Sequence, residues 1–339
     1  MRIESSRVIE LIKEKDNVLI LTHKSPDGDT IGSGVALCRL LLAMGKKARV
    51  ENSEVIPDRY SYLFENLDMP EFEPEYIVAV DVADTTLLGD KLSVYADKVD
   101  LCIDHHGSNR EYAKELHLCA DDGAASLTVY RIFKEMGAKI TPEIADALYT
   151  GISTDTGCFR YANASSECYT AAADLIALGA RSAFINVLMF ETKPLSYFTL
   201  LKDTLAGMRM FCDGKVCVMK VTQEMLKSSG ATLEHCDAIS AMSRQIEGVM
   251  VGVTMKERED GKFKFSLRTY DPIDAAKLCG AFGGGGHMRA AGCSPDMDGE
   301  EALAKLINMI DDEFATAQIA ENAAKGCSHS AGARKSVGV

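Results

Sequence analysis

Three side chains of the kind that bind divalent cations, His23, Asp27 and Asp29, fall within seven residues in His23-Lys24-Ser25-Pro26-Asp27-Gly28-Asp29. An imidazole and two carboxylates, with no thiolate among them, suit a hard or borderline divalent metal. The stretch follows directly on Val18-Leu19-Ile20-Leu21, β-branched or leucine at every position, which reads as a short buried strand. Glycines 28, 32 and 34 let the chain turn tightly into a helix that continues through Val35 to Leu41. Loops at the carboxyl ends of parallel strands are where α/β proteins hold ligands. Taken alone, the loop is as consistent with a solvated turn as with a metal site.

The pattern recurs along the chain. Tyr76-Ile77-Val78-Ala79-Val80 ends in Asp81, and Val99 to Ile103 leads into Asp104-His105-His106-Gly107. Farther on, Ala147 to Ser153 delivers Asp155 inside Thr154-Asp155-Thr156-Gly157. An aspartate after a strand is a common helix cap and a histidine pair a common surface feature. Four such elements in this order are hard to assign to chance. On these motifs the chain resembles the DHH phosphoesterases, named for the triplet that stands here as Asp104-His105-His106. The C-terminal run from Phe282 through Gly283-Gly284-Gly285-Gly286-His287-Met288-Arg289 to Gly292 looks like the DHH-associated domain. The resemblance covers about residues 10 to 315 and points to two-lobed bacterial oligoribonucleases that are also pAp phosphatases.

The resemblance implies two divalent cations, manganese foremost with magnesium or cobalt as alternatives, about 3.5–4 Å apart around the attacking oxygen. One would take His23, Asp27 and Asp81, the other Asp29, Asp81, His105 and Asp155, with Asp81 bridging. A bridging carboxylate offers one oxygen to each ion and offsets their repulsion, and Gly28 leaves room for its two neighbours to reach different ions. Asp104 is expected behind them, orienting His105 or His106 through a ring nitrogen not on the metal. His106 is expected to touch the scissile phosphate or protonate the leaving oxygen. In the C-terminal region, four consecutive glycines would leave backbone N–H groups facing a phosphate, a nest-like anion site. Gly284, Gly285 and Gly286 would supply that nest, with His287 and Arg289 at its rim. Arg268 and Arg244 match positions that bind substrate phosphate in the family, although a plain surface charge explains Arg244 nearly as well.

Composition agrees with a soluble enzyme. The chain has 339 residues, enough for two cores, and no apolar run approaches a membrane span. The start, Met1-Arg2-Ile3-Glu4, lacks the apolar stretch of a signal peptide, and eleven scattered cysteines without close pairs read as free thiols of a reducing cytoplasm. Net charge is −13, distributed unevenly. Residues 1–190 carry 19 basic and 30 acidic side chains, hence −11, and residues 191–339 carry 18 and 20, hence −2. An acidic first lobe holds cations but repels a long phosphate track, which argues for short anionic substrates and against a duplex-DNA groove; the resemblance implies that these are short single-stranded RNA or small nucleotides.

The predicted architecture is α/β. A mostly parallel, doubly wound five-stranded sheet (strands near 18–22, 47–51, 76–81, 99–103 and 116–119) alternates with helices near 31–44, 57–66, 86–96 and 124–137 over residues 1–190. A connecting helix occupies 191–208, and a smaller α+β domain spans 209–316, with a helix capped by Asp271 ahead of the glycine loop. Residues 317–339 read as a disordered tail, and the active site is expected in the cleft between domains. The implied activity is hydrolysis of very short RNA to 5′-mononucleotides and dephosphorylation of adenosine 3′,5′-bisphosphate (pAp) to AMP, in a cytoplasmic protein with no membrane partner; a homodimer is left open. A phosphodiesterase for cyclic dinucleotides or their linear products is the nearest alternative, and a non-catalytic nucleotide-binding protein a more distant one.

Overall fold

The computed structural model describes residues 1–331, apart from the side chains of residues 233, 234, 237, 318 and 320–331. The chain forms two compact units, residues 1–192 and residue 193 onward. The first runs α1 (Ser5–Glu14), β1 (Val18–Leu21), α2 (Gly28–Ala43), β2 (Ala48–Glu51), β3 (Tyr76–Val80), α3 (Gly89–Leu92), β4 (Leu101–Asp104) and β5 (Glu115–Leu118), then α4 (Ala125–Met136), α5 (Pro142–Asp155), α6 (Ser166–Ala177) and α7 (Ser182–Asn186). The five strands are all parallel, in the order β2-β1-β3-β4-β5.

Every residue of β1 and β3 is buried, which explains why both read as continuous apolar runs: the sheet is covered on both faces. Ile20, Val78 and Ile103 pack on one side with α2, α4 and α5. Leu19, Leu21, Ile77 and Cys102 pack on the other with Leu88, Leu92 and Val99. That second face is covered by less helix than expected. The helix predicted near 86–96 is broken into 3₁₀ turns around α3, because Gly89 takes a left-handed φ of +70°, where a Cβ would lie 2.7 Å from Ser53 Oγ and 3.0 Å from Lys24 Cβ. The segment predicted as a helix near 57–66 is likewise 3₁₀, Asp58–Phe64. Strand order reverses between β1 and β3, and in such sheets the crevice at that reversal is the ligand site.

Helices α2 and α5 cross so closely that a Cβ on Gly32 would lie 2.3 Å from the carbonyl oxygen of Ala147 and 3.1 Å from the amide nitrogen of Gly151. Those are backbone atoms and cannot rotate away. Gly32→Ala is therefore expected to lower unfolding free energy by about 1–3 kcal/mol, the usual penalty for overpacking. A urea midpoint equal to wild type would contradict that.

The second unit runs α8 (Leu195–Ala206), β6 (Arg209–Phe211), β7 (Val216–Val221), α9 (Gln223–Ser229), α10 (Leu233–Met242), β8 (Val251–Glu257), β9 (Phe263–Thr269), α11 (Ala275–Gly280), β10 (Gly285–His287), β11 (Ala290–Cys293) and α12 (Gly299–Ala331). Its six strands are ordered β10-β11-β9-β8-β7-β6, with β7 and β8 parallel and the other pairs antiparallel. Val253, Phe265 and Leu267 face a core with α11 and α12, and Cys217 and Met219 face one with α8 and α10.

Two local expectations are corrected here. The helix ahead of the glycines starts at Ala275, and its cap is Asp274, whose carboxylate accepts the Lys277 N–H at 3.1 Å. Asp271 instead precedes a turn in which the Ile273 N–H reaches the Tyr270 carbonyl. The last helix also continues to Ala331, past residue 317, where the tail was expected to begin. Frequent alanines and the lack of proline favour that continuation; residues 332–339 of the expected tail lie outside the described residues. Among the described residues no helix is long and apolar enough to cross a membrane, and the ten cysteines are free.

Candidate metal centre

The loop leaving β1 is pinned from three sides. Asn52, just after β2, donates to Thr22 Oγ1 (2.9 Å) and to the His23 carbonyl (2.6 Å), while the His23 N–H reaches Thr30 Oγ1 (3.2 Å). Asp27 caps α2 with one oxygen, Oδ1, which accepts the N–H groups of Asp29 and Thr30 at 3.0 and 3.1 Å. That leaves Oδ2, which lies 3.5 Å from His23 Nε2. A residue that looks like an ordinary helix cap is therefore both cap and ligand candidate.

Asp29 is buried and oriented by a different helix. Its oxygens accept the N–H groups of Ala125 (2.6 Å) and Ser126 (2.8 Å) at the start of α4, where the orphan amides and the helix dipole favour an anion. His105 is held by the Asp122 carbonyl, 3.0 Å from Nδ1. Its Nε2 then faces Asp81 Oδ1 (3.5 Å), Asp155 Oδ2 (3.6 Å) and Asp29 Oδ2 (3.8 Å). Asp81, at the end of β3 with a left-handed φ of +61°, turns its other oxygen, Oδ2, to His23 Nε2 at 3.5 Å.

The six side chains face one another at distances of 3.5–3.8 Å. Each distance exceeds the 2.7–3.2 Å of a good N–H···O bond. Asp81 Oδ1 is fully buried with no hydrogen-bond partner, and an orphaned anionic oxygen is costly unless a cation meets it. The candidate donor atoms form overlapping groups, His23/Asp27/Asp81, Asp29/His105/Asp155 and Asp81/His105/His106, each within 4.8 Å. Asp81 belongs to the first and third, with Oδ2 toward His23 and Oδ1 toward His105 and His106. The donor set, carboxylate oxygens and imidazole nitrogens, suits divalent cations.

The electrostatics point the same way. Burial pulls the His23 imidazole down, but Asp27 and Asp81 outweigh it and push its pKa up to about 10. Burial opposes His105 as well, and Asp81 and Asp29 carry it to about 10. Burial together with the charges of Asp81 and Asp155 holds the Asp29 carboxyl well above its ordinary value. Burial, with Asp81 and Asp27 opposing His105, lifts Asp155 to about 6. Protons on these histidines compensate an excess of negative charge that metal ions would neutralise.

Asp104 is completely buried behind His106. Its Oδ1 accepts the N–H groups of His105 (2.8 Å) and His106 (3.3 Å) and faces His106 Nδ1 at 2.8 Å. Of the two histidines left open in the sequence reading, its side chain orients the ring of His106, and His105 takes its orientation from Asp122. His106 keeps 43% of its side chain exposed, open to a substrate. Asp122 is fixed in turn by Thr128 and Arg131, each at 2.5 Å. The Asp122 carbonyl and the α4 amides are backbone groups, which leave no mark in residue type. Asn109, which donates to Asp104 Oδ2 at 2.6 Å, was also missed.

In the second unit the glycine run differs from the nest expected of it. The Gly283 and Gly284 N–H groups already reach the carbonyls of Gly280 and Cys279, each at 3.0 Å. Gly285 to His287 pair with Ala290 to Gly292. A Cβ on Gly284 would lie 2.3 Å from the Gly292 carbonyl, and one on Gly286 2.7 Å from that of Ala290, so close strand approach is what requires glycine there. Gly285 and His287 are exposed. Arg289 is engaged by the Asp271 carboxylate and the Ile273 carbonyl (2.9 Å). Arg244 lies over the Tyr270 ring at 4.6 Å, and Arg268 bonds the Leu267 carbonyl from β9.

A parallel sheet with a carboxylate–imidazole cluster at its topological switch defines a class of α/β protein equipped with metal-binding side chains. Residues 17–152 match the DHH family, N-terminal domain, and residues 213–316 match the DHHA1 domain, so the chain belongs to the DHH family. It is 31% identical to the bifunctional oligoribonuclease and PAP phosphatase NrnA of Thermus thermophilus, over 91% of this chain and 94% of that one. It is 26% identical to the cyclic-di-AMP phosphodiesterase PdeA of Listeria monocytogenes, over 91% of this chain but 50% of that protein. A crystal structure of an exopolyphosphatase-related protein from Bacteroides fragilis shares the fold, with a TM-score of 0.80 at 24% identity over 91% of this chain and 96% of that one.

Proposed function

We propose that this chain is a two-metal phosphoesterase that hydrolyses short oligoribonucleotides to 5′-mononucleotides and removes the 3′-phosphate of pAp. The observation that carries the reading is Asp81, buried between His23 and His105 with one oxygen toward each and one of them orphaned. The kinship with a bifunctional oligoribonuclease and PAP phosphatase over nearly the full length of both chains supports the substrate class, and favours it over the cyclic-dinucleotide relative, of which this chain spans half.

His23, Asp27 and Asp81 would hold one cation and Asp29, Asp81, His105 and Asp155 the other. Bound there, divalent cations, manganese foremost, supply Lewis acidity to the phosphoryl group and to water. The protein contributes the rest. Asp27 and Asp29 are held by helix amides, so the cluster is organised before substrate arrives. His106 gives its proton to the leaving oxygen, with Asp104 steadying the ring. Arg244, Arg268, Arg289, His287 and the Gly284–Gly285–Gly286 segment of the second unit would bind the nucleotide and its terminal phosphate.

Both substrates place a phosphate ester on the 3′ side of a nucleoside that carries a graspable 5′-phosphate. Removing the 5′-phosphate from a diribonucleotide is therefore expected to raise KM about 10- to 100-fold, the worth of a charge-assisted bond. Equal KM values with and without that phosphate would overturn the proposed grip.

A further inference from the structure

We infer that Asn109 is a positioning residue that locks Asp104, and through it His106, into the proton-donating arrangement, an inference that rests on the proton-donor reading of His106. The side chain is used at both ends. Its Oδ1 accepts the Glu111 N–H at 2.7 Å, which fixes the amide plane, and its Nδ2 donates to Asp104 Oδ2 at 2.6 Å. The same Nδ2 lies 3.4 Å from the Val82 carbonyl, next to Asp81. A plain turn asparagine needs only the first of these contacts.

The second contact matters because two carboxylates compete for one ring nitrogen. His106 Nδ1 lies 2.8 Å from Asp104 Oδ1 and 3.5 Å from Asp81 Oδ1. Asp104 is completely buried, and its Oδ1 also accepts two backbone N–H groups, so its rotation decides which carboxylate the ring follows. With Oδ2 tied to Asn109, the carboxylate cannot turn away, and Nδ1–H stays on Asp104. Asp81 is thereby left to the metals, and Nε2 is the nitrogen that carries the transferable proton. In the reaction a water oxygen forms a bond to phosphorus and gives up one proton to solvent, as the bond from phosphorus to the ribose 3′ oxygen breaks. That oxygen leaves with the electron pair and takes the Nε2 proton, while Nδ1–H remains on Asp104; solvent then reprotonates Nε2.

The test compares two esters that differ in their need for that proton. A 5′-phosphorylated diribonucleotide expels a ribose hydroxyl, which needs it; thymidine 5′-p-nitrophenyl phosphate expels a phenolate, which does not. Asn109→Ala is expected to lower kcat on the diribonucleotide about 10- to 100-fold, part of what a general acid supplies. KM, manganese affinity by calorimetry and kcat on the nitrophenyl ester should each stay close to wild type, while Tm falls by a few degrees as the buried Asp104 Oδ2 loses its donor. Asn109→Ser, too short to reach Oδ2, should behave alike and serves if the alanine variant folds poorly. Equal losses on both esters, or no loss on the diribonucleotide, overturn the inference. His106→Ala, assayed alongside, separates the two levels of failure. If it shows the split and the Asn109 variants do not, Asn109 alone loses its role. If it depresses both esters alike, the proton-donor reading falls and the positioning role falls with it.

Discussion

Replacing Asp81 by asparagine will abolish turnover and weaken metal binding while leaving the fold intact. Asparagine preserves the shape of aspartate and tolerates the left-handed φ of +61° at this position, so backbone strain does not confuse the result. The loss of activity should reach at least about a thousandfold, or ~4 kcal/mol, because the one carboxylate that faces both halves of the cluster loses its charge. The metal-free variant will also lose part of the stability that His23 and His105 draw from that charge, since both imidazoles are protonated near neutrality and face Asp81 at 3.5 Å. Retained turnover, or manganese affinity by calorimetry equal to wild type, would contradict the assignment of Asp81 as a ligand.

The second large effect is in pH. Metal binding near neutrality will release about two protons, and affinity will climb about 10- to 100-fold per pH unit. His23 and His105 each have a pKa of about 10 without metal, so both carry protons at pH 7 that a cation must displace. Calorimetry in two buffers of different ionisation heat counts those protons, and a count of zero would contradict the arrangement. The stability of the metal-free protein should move the opposite way. A histidine pKa raised by folding stabilises the fold fully below its unfolded value of 6.5, and that stabilisation is lost as pH rises through about 10. The Asp29 carboxyl, raised by burial and by Asp81 and Asp155, adds in the same direction, since its charged form is disfavoured once pH passes the ordinary carboxylate range. Metal-free Tm therefore falls across that window, and the Tm increment produced by added manganese grows.

The candidate cluster was legible because five of its six side chains stand where the chain itself announces a strand end; the sixth, Asp155, closes helix α5. Apolar runs at 18–21, 76–80 and 99–103 mark buried strands, and the His and Asp residues after them have few other reasons to follow such strands. The groups that orient those side chains carry no such mark. The amides of Ala125 and Ser126 lie 96 and 97 residues from Asp29, and the Asp122 carbonyl 17 from His105; main-chain atoms are the same under any sequence. Asn109 reads as a turn residue until Asp104 is seen beside it. The glycine run misled for the opposite reason. Glycine at 284 and 286 was attributed to ligand approach, whereas the atoms that forbid a Cβ there belong to the neighbouring strand. Helix propensity misled around residue 89 because a left-handed glycine divides the segment.

Incubating the protein with manganese and, separately, a linear 5′-phosphorylated diribonucleotide, a cyclic dinucleotide and pyrophosphate, then resolving the products by chromatography, tests the central claim most directly. Fast conversion of the linear dimer alone to 5′-mononucleotides is the predicted result. Turnover of the cyclic dimer in preference to the linear one, or inertness toward all three, would contradict it.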